Sequence, residues 1–131
     1  MQRQKKVRTA QQMSKHLVIS TSVELVRIKP ENIVYISSDG NYSSIMQVDG
    51  EVRTVTVQLG MIEDMINMQL GTSGSLFIRT GKSLILNRNY IYYINLTRQK
   101  LIMSDAANFS HILSASKDAL KQIKELLEKE D

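Results

Sequence analysis

Residues 43–57 read SSIMQVDGEVRTVTV and decide the fold class of this chain. The pair Asp49-Gly50 in the middle is a two-residue turn signal, because these residues tolerate the positive φ angles that a tight hairpin requires. β-branched residues dominate the run from Val52 to Val57, as a pleated strand surface prefers. The stretch therefore predicts a β-hairpin whose strands flank Asp49-Gly50.

Similar strand patterns continue on both sides of this hairpin. The other predicted strands are Leu17–Ile19, Val23–Ile28 before the stop at Pro30, Ile33–Ile36, Leu76–Arg79, Leu84–Leu86, Tyr90–Leu96, Lys100–Met103 and Phe109–Leu113. Glycine, asparagine and aspartate, which favour turns, lie between most of these runs. Many short strands with few helices predict a mostly-β domain of the α+β class.

Two stretches change to helical spacing. The apolar residues of the first recur three or four positions apart, at Leu59, Ile62, Ile66 and Leu70. This spacing predicts a mid-chain helix over 59–70, which ends where Gly71 tolerates a left-handed conformation. Ser116 is a favourable N-cap for a second, C-terminal helix near 117–128, whose apolar residues lie on one face.

Length and composition exclude several classes of protein. The 131 residues are enough for one domain, and 42% apolar with 23% charged residues is typical of a globular chain. No apolar run approaches the roughly 20 residues of a membrane-spanning helix, and no secretory signal begins the chain. The absence of cysteine excludes disulfides and cysteine zinc sites. We therefore expect a soluble cytoplasmic protein without a membrane partner.

The positive charge is concentrated at the N-terminus. Residues 1–16 carry five basic side chains and no acid, whereas the other 115 residues carry 12 basic and 13 acidic side chains. Two interpretations stay open: an arm that contacts phosphates, or a solvated linker. We expect residues 1–16 to form a basic, disordered tail and residues 17–131 to form the folded domain.

Motifs of known enzymes are incomplete. Gly81-Lys82-Ser83 resembles the end of a P-loop, but Leu76 stands where the first glycine is needed. The adjacent acids Glu63-Asp64 are interpreted as a solvated helix face, and His111 in its apolar strand as a structural residue. Because no nucleophile with a base and an orienting group can be assembled, we predict no enzymatic activity, no cofactor and no metal site.

Three segments resemble one known family. Residues 33–42, IVYISSDGNY, resemble the opening signature of LytTR DNA-binding domains. Residues 77–91, FIRTGKSLILNRNYI, resemble that family's Phe-x-Arg-x-His-Arg/Lys-Ser-x-x-Val-Asn-x-x-x-Ile stretch. Ser114-Ala115-Ser116-Lys117 lies where the family has a Ser-Arg element before its last helix. The similarity covers about residues 23–128 in the same order, and this colinearity makes it specific.

The resemblance implies both a fold and a function. The fold would consist of several small antiparallel sheets with the mid-chain and C-terminal helices. The function would be sequence-specific binding of double-stranded DNA by the output domain of a bacterial response regulator, a transcription regulator. Loops would enter successive major grooves at direct-repeat sites, with a second copy on the DNA and a sensor or receiver as partner. The alternative is a protein-interaction module of the same fold.

The resemblance also implies which residues contact DNA, in three loops and at flanking positions. By position these are Asn41, Tyr42, Arg79, Lys82, Ser83, Arg88, Ser116 and Lys117. Lys82 and Tyr42 are candidates for base edges, whereas Arg79 and Arg88 are expected to position phosphates. Gly81 replaces the family's common histidine and Lys117 stands where arginine is usual, so the bases contacted stay open.

Overall fold

The computed structural model describes residues 15–130, in which ten strands form three antiparallel sheets beside two α-helices. The strands are β1 (Leu17–Ser20), β2 (Leu25–Ile28), β3 (Ile33–Asp39), β4 (Tyr42–Gln47), β5 (Val52–Val55), β6 (Phe77–Thr80), β7 (Leu84–Asn87), β8 (Ile91–Asn95), β9 (Lys100–Ser104) and β10 (Ser110–Ser114). The helices are α1 (Leu59–Leu70) and α2 (Lys117–Glu130). The predicted fold class is confirmed, and α1 has the bounds that its spacing predicts.

The five-stranded sheet, in the order β5-β4-β3-β7-β6, is the middle layer. Strand β3 lies at its centre, with β4 and β7 as antiparallel neighbours. A register shift between Ile33 and Tyr35 turns Ile33 and Ile36 to one face of the sheet and Val34 to the other. Apolar residues on both faces let the sheet bury two separate cores.

Each face of the middle sheet is covered by different elements. On one face the core combines α1 and the β1–β2 hairpin with the sheet, and its buried residues include Leu17, Ile19, Ile36, Ile45, Ile62, Ile66 and Ile85. On the other face it combines α2 with the three-stranded sheet β10-β9-β8, and includes Val34, Leu86, Leu101, Met103, Leu120 and Ile123. The domain is therefore a three-layer arrangement.

Two predicted turns differ in detail from the structure. The loop between β4 and β5 spans residues 48–51 instead of two residues, because the Val48 amide donates to the Asn32 carbonyl at 2.9 Å instead of to β5. Val23, predicted to lie in a strand, is 89% exposed in the turn between β1 and β2. The Thr21 hydroxyl accepts from the Glu24 amide there at 3.1 Å and closes the turn.

Within residues 15–130, no helix is both long and apolar enough to cross a bilayer.

One buried polar side chain joins the end of β7 to the start of β3, and it gives a test of the fold. Asn87 is 1% exposed; its Nδ2 donates to the Ile33 carbonyl at 2.9 Å and its Oδ1 accepts from the Asn89 amide at 2.9 Å. We expect Asn87→Ala to lower the free energy of unfolding by about 1–3 kcal/mol, because the buried partners lose their hydrogen bonds.

Urea denaturation measures this loss. The control Asn89→Ala changes an exposed side chain of the same type, so we expect it to change the free energy of unfolding by less than about 0.5 kcal/mol. Equal losses in the two variants would contradict the structural role of Asn87.

Candidate nucleic-acid interface

The first two predicted loops project from the same end of the middle sheet. Strand β3 pairs antiparallel with β7 so that Ser37 lies opposite Leu84, which places the end of β3 beside the start of β7. The Ser38 amide donates to the Ser83 carbonyl at 2.8 Å. The β3–β4 turn and the β6–β7 turn are therefore hydrogen-bonded neighbours, although about 40 residues separate them in sequence.

The third predicted loop lies beside the second. A Cβ atom placed on Gly81 would come within 4.0 Å of the Ala119 Cβ, in the first turn of α2. Ser116 and Lys117 precede this contact directly and so lie next to the β6–β7 turn. We call the segments 39–42, 81–83 and 115–118 the loop end of the domain. Together with the side chain of Arg79, it brings together Asn41, Tyr42, Lys82, Ser83, Ser116 and Lys117.

The β3–β4 turn is held against the start of α1. Gly40 has φ 65°, a conformation that glycine adopts without strain, and it allows Asp39 to pair with Tyr42 across the turn. The Asn41 Oδ1 accepts from the Gln58 Nε2 at 3.2 Å, and Gln58 is the residue that precedes α1. Tyr42 is 50% exposed. This turn therefore presents the carboxylate of Asp39, one amide and one phenol to solvent.

The β6–β7 turn is braced by Arg79. The guanidinium Nε donates to the Gly81 carbonyl at 3.1 Å and Nη2 donates to the Lys82 carbonyl at 3.1 Å. Its Nη1 donates to the Glu63 carboxylate on α1 at 2.7 Å, so Glu63 is paired and not simply solvated as its sequence position predicts. Arg79 thus ties the turn to α1, and these internal bonds favour a positioning role over contact with phosphate.

Lys82 is the exposed cation that this brace holds in place. Its carbonyl accepts from Arg79, and its ammonium has no ion pair within residues 15–130. Gly81 before it has φ 63°, which a residue with a side chain adopts only with strain. The replacement of the family's common histidine by glycine therefore leaves Lys82 and Ser83 as the polar side chains of this turn.

The start of α2 confirms the predicted cap. The Ser116 Oγ accepts from the Ala119 amide at 3.1 Å, which satisfies one free amide of the first turn. The hydroxyl proton of Ser116 stays available for a further acceptor. Lys117 is exposed in the first turn, where the helix dipole also favours an anion.

Arg88 lies apart from the other seven predicted residues. It follows Asn87, whose side chain bonds to the first residue of β3, whereas the loop end lies at the last residue of β3. A seven-residue strand is about 20 Å long. The Arg88 guanidinium is also paired with Glu130 near the end of α2. The structure therefore places Arg88 at the opposite end of the domain.

That opposite end is acidic. Its carboxylates are Glu31, Asp49, Glu51, Asp105 and Glu130, the last paired with Arg88. Asp105 lies at this end because its loop is linked to Glu31 through Tyr90. The Tyr90 hydroxyl donates to the Glu31 carbonyl at 2.9 Å, and the Tyr90 ring packs against Phe109, at the end of the Asp105 loop, with centroids 5.2 Å apart. Hydrogen bonds from backbone amides, that of Ala107 foremost, lower the pKa of Asp105 to about 2. An anionic ligand therefore meets less repulsion at the loop end.

Among residues 15–130, no three His, Asp or Glu side chains are placed to hold a metal ion. His111 is half-buried against Tyr35 and Phe109, with ring centroids 5.8 and 5.6 Å away. Its ring packs against aromatic neighbours, while its buried Nε2 has no hydrogen-bond partner among the described residues.

The sequence matches one known family across nearly the whole domain. The model of the LytTr DNA-binding domain matches residues 23–128, which include all three segments of the loop end. The chain therefore belongs to the LytTR family of DNA-binding domains. Binding of DNA by a bacterial transcription regulator is the function of this family, which is a family of DNA-binding domains and not of enzymes.

A solved structure supports the fold. The LytTr DNA-binding domain of a response regulator from Bacillus cereus superposes with a TM-score of 0.59 at 16% sequence identity. The similarity covers 86% of this chain and 96% of the other. No curated protein matches the sequence. At this low identity the likeness establishes the arrangement of strands and helices and not the bases contacted.

The Arg79 brace can be tested without DNA. We expect Arg79→Lys to loosen the β6–β7 turn, because an ammonium cannot reach two carbonyls and the Glu63 carboxylate in this fork geometry. The reporter is the Ser38 amide, which donates to the Ser83 carbonyl. A loss of about 1 kcal/mol in local stability speeds its hydrogen exchange about fivefold.

Arg53→Lys is the matched control, because Arg53 is exposed on β5. It should leave the exchange of the Ser38 amide unchanged. If Arg79→Lys also leaves the rate unchanged, the guanidinium does not hold the turn.

Proposed function

We propose that the loop end binds double-stranded DNA sequence-specifically, with its loops entering the major groove, and that two copies on a direct repeat place their loops in successive major grooves. One observation carries this proposal. The hydrogen bond between Ser38 and Ser83, together with the position of Gly81 beside Ala119, gathers three segments that are distant in sequence at a single end of the domain. Short turns fit a major groove about 12 Å wide, in which every base pair presents a distinct hydrogen-bonding pattern.

The β6–β7 turn carries the main candidate for reading bases. Lys82 can donate to guanine O6 and N7, or to a phosphate, because its ammonium is a point charge with three donors. The Arg79 brace fixes the backbone from which Lys82 extends, so less conformational freedom is lost on binding. Ser83 is exposed beside it and can donate to a phosphate.

The β3–β4 turn supplies complementary contacts. Because the Oδ1 of Asn41 already accepts from Gln58, its Nδ2 is the group that remains for DNA. Asn41 would then act as a donor and not as a bidentate reader of adenine, which uses both amide atoms. The exposed ring of Tyr42 can contact a thymine methyl group while its hydroxyl meets a base edge or a phosphate.

The start of α2 is suited to the DNA backbone. Lys117 and the Ser116 hydroxyl lie where the free amides and the helix dipole favour a phosphate. Asp118 in the same turn adds negative charge, so Lys117 offsets a local acid as well as attracting DNA. We therefore assign this segment mainly to general affinity.

The arrangement also bears on the form of the DNA site. The domain has one contact end, so two copies bound in the same orientation would occupy a direct repeat. We include this second copy, and control by a sensor or receiver partner, in the proposal. Selection from randomised oligonucleotides tests it: an enriched direct repeat supports the proposal, whereas flat enrichment would favour the protein-interaction module.

Lys82→Ala is the sharpest test of base readout. If Lys82 reads a base edge, we expect a loss of about 1–3 kcal/mol in specific binding and relaxed preference at one position of the site. If it contacts a phosphate, the loss of affinity is uniform over all sequences. The slope of the log binding constant against the log salt concentration then falls in magnitude by about 0.9. Gel-shift titrations at two salt concentrations distinguish the two roles.

Lys29→Ala is the control for this experiment. Lys29 is exposed at the start of the turn that leads into β3, at the opposite end of the domain, so its removal should change binding little. A folded Lys82→Ala variant that binds like the wild type would show that the loop end does not read DNA through this turn.

The basic tail remains a prediction, since residues 1–14 lie outside the described residues. If it contacts phosphates, deletion of residues 1–12 should weaken binding to all DNA sequences alike. The log–log slope against salt should fall by about 0.9 for each phosphate that the tail neutralises in the intact chain. An unchanged slope would identify the tail as a linker.

A further inference from the structure

The turn between β8 and β9 lies beside the start of α2. Asn95 and Ser114 both pair with Lys100, so the turn and the segment after β10 extend from the same end of the three-stranded sheet. The Gln99 Nε2 donates to the Ala115 carbonyl at 3.4 Å. The β8–β9 turn, residues 96–99, is therefore a direct neighbour of the loop end.

This contact extends a row of segments. Ser83 contacts Ser38, Gly81 faces Ala119, and Ala115 contacts Gln99. The order along the domain is the β3–β4 turn, the β6–β7 turn, the start of α2 and then the β8–β9 turn. The β8–β9 turn is therefore the next neighbour of any DNA that contacts the start of α2.

The turn is preorganised around an exposed arginine. The Asn95 Oδ1 accepts from the Arg98 amide at 2.9 Å, and the Gln99 amide donates to the Leu96 carbonyl at 3.2 Å. Gln99 has φ 52°, in the left-handed region that residues with side chains seldom adopt. The Arg98 side chain is exposed and has no ion pair within residues 15–130.

The net charge of this turn differs from that of the three loops. At the loop end, the acids Asp39 and Asp118 balance the unpaired lysines Lys82 and Lys117. By contrast, Arg98 and Lys100 are two basic residues in a stretch, 91–104, that contains no acid. Among the four segments, the net positive charge therefore comes from Arg98 in the β8–β9 turn, which favours contact with a polyanion there.

We propose that the β8–β9 turn is a fourth DNA contact, in which Arg98 binds a backbone phosphate near the phosphate that the start of α2 contacts. This inference rests on the proposed function of the loop end. The planar guanidinium donates two parallel hydrogen bonds to phosphate oxygens, and the exposed Thr97 hydroxyl lies beside it as a further donor. A phosphate contact supplies affinity and register without selecting a sequence.

The test compares Arg98→Gln with Arg27→Gln on a DNA site selected by the wild-type protein. Arg27 is an exposed arginine on β2, away from the row of segments, and serves as the matched control. We expect Arg98→Gln to weaken binding about threefold to tenfold at low salt, equally for all sequences, and to lower the log–log salt slope by about 0.9. Arg98→Lys should retain most of the slope.

A modified DNA provides a second readout. Methylphosphonate groups that neutralise the phosphates at one flank of the site should weaken DNA binding by the wild-type protein and leave DNA binding by Arg98→Gln unchanged. If the wild type binds DNA and Lys82→Ala weakens it, but Arg98→Gln behaves like Arg27→Gln, the fourth contact is overturned and the loop end is not. If neither the wild-type protein nor any variant binds DNA, the proposed function itself is contradicted. Relaxed preference at one base position would overturn the assignment to phosphate.

Discussion

The antiparallel pairing of β3 with β7 is the constraint on which the rest of the structure depends. It places the last residues of β3 beside the first residues of β7, and the bond between the Ser38 amide and the Ser83 carbonyl closes this contact. Both strands are apolar on their two faces, so each core needs them. The position of the two turns is therefore fixed by the same pairing that stabilises the fold.

The pairing also gives the domain two chemically different ends. At one end, exposed lysines on turns that α1 and α2 hold in place balance two acids, whereas the other end carries an excess of carboxylates around the loops that precede β3, β5 and β10. Such polarity orients a small domain towards a polyanion before any specific contact forms. Affinity and specificity can then reside in different side chains of the same surface, since phosphate contacts and base contacts are separable.

Sequence patterns predicted the elements better than the long-range contacts. The spacing of Leu59, Ile62, Ile66 and Leu70 predicted α1 because local periodicity reports the buried face of a helix. The resemblance predicted the three loops, but not that Arg79 would turn inwards to Glu63 or that Arg88 would pair with Glu130 at the far end. Both pairs join residues on different elements, and no local pattern carries that information. In the sequence Arg98 is simply a basic residue of a turn, and the strand pairing of β8, β9 and β10 and the contact between Gln99 and Ala115 relate it to the other loops.

The central claim is that one end of the domain meets DNA, and amide hydrogen exchange with and without a selected DNA site tests it most directly. We predict slower exchange in residues 38–42, 81–83 and 115–118 when DNA is bound. We predict little change in residues 48–51 and 88–90 at the opposite end. Protection confined to the opposite end, in a complex of confirmed specificity, would contradict the claim.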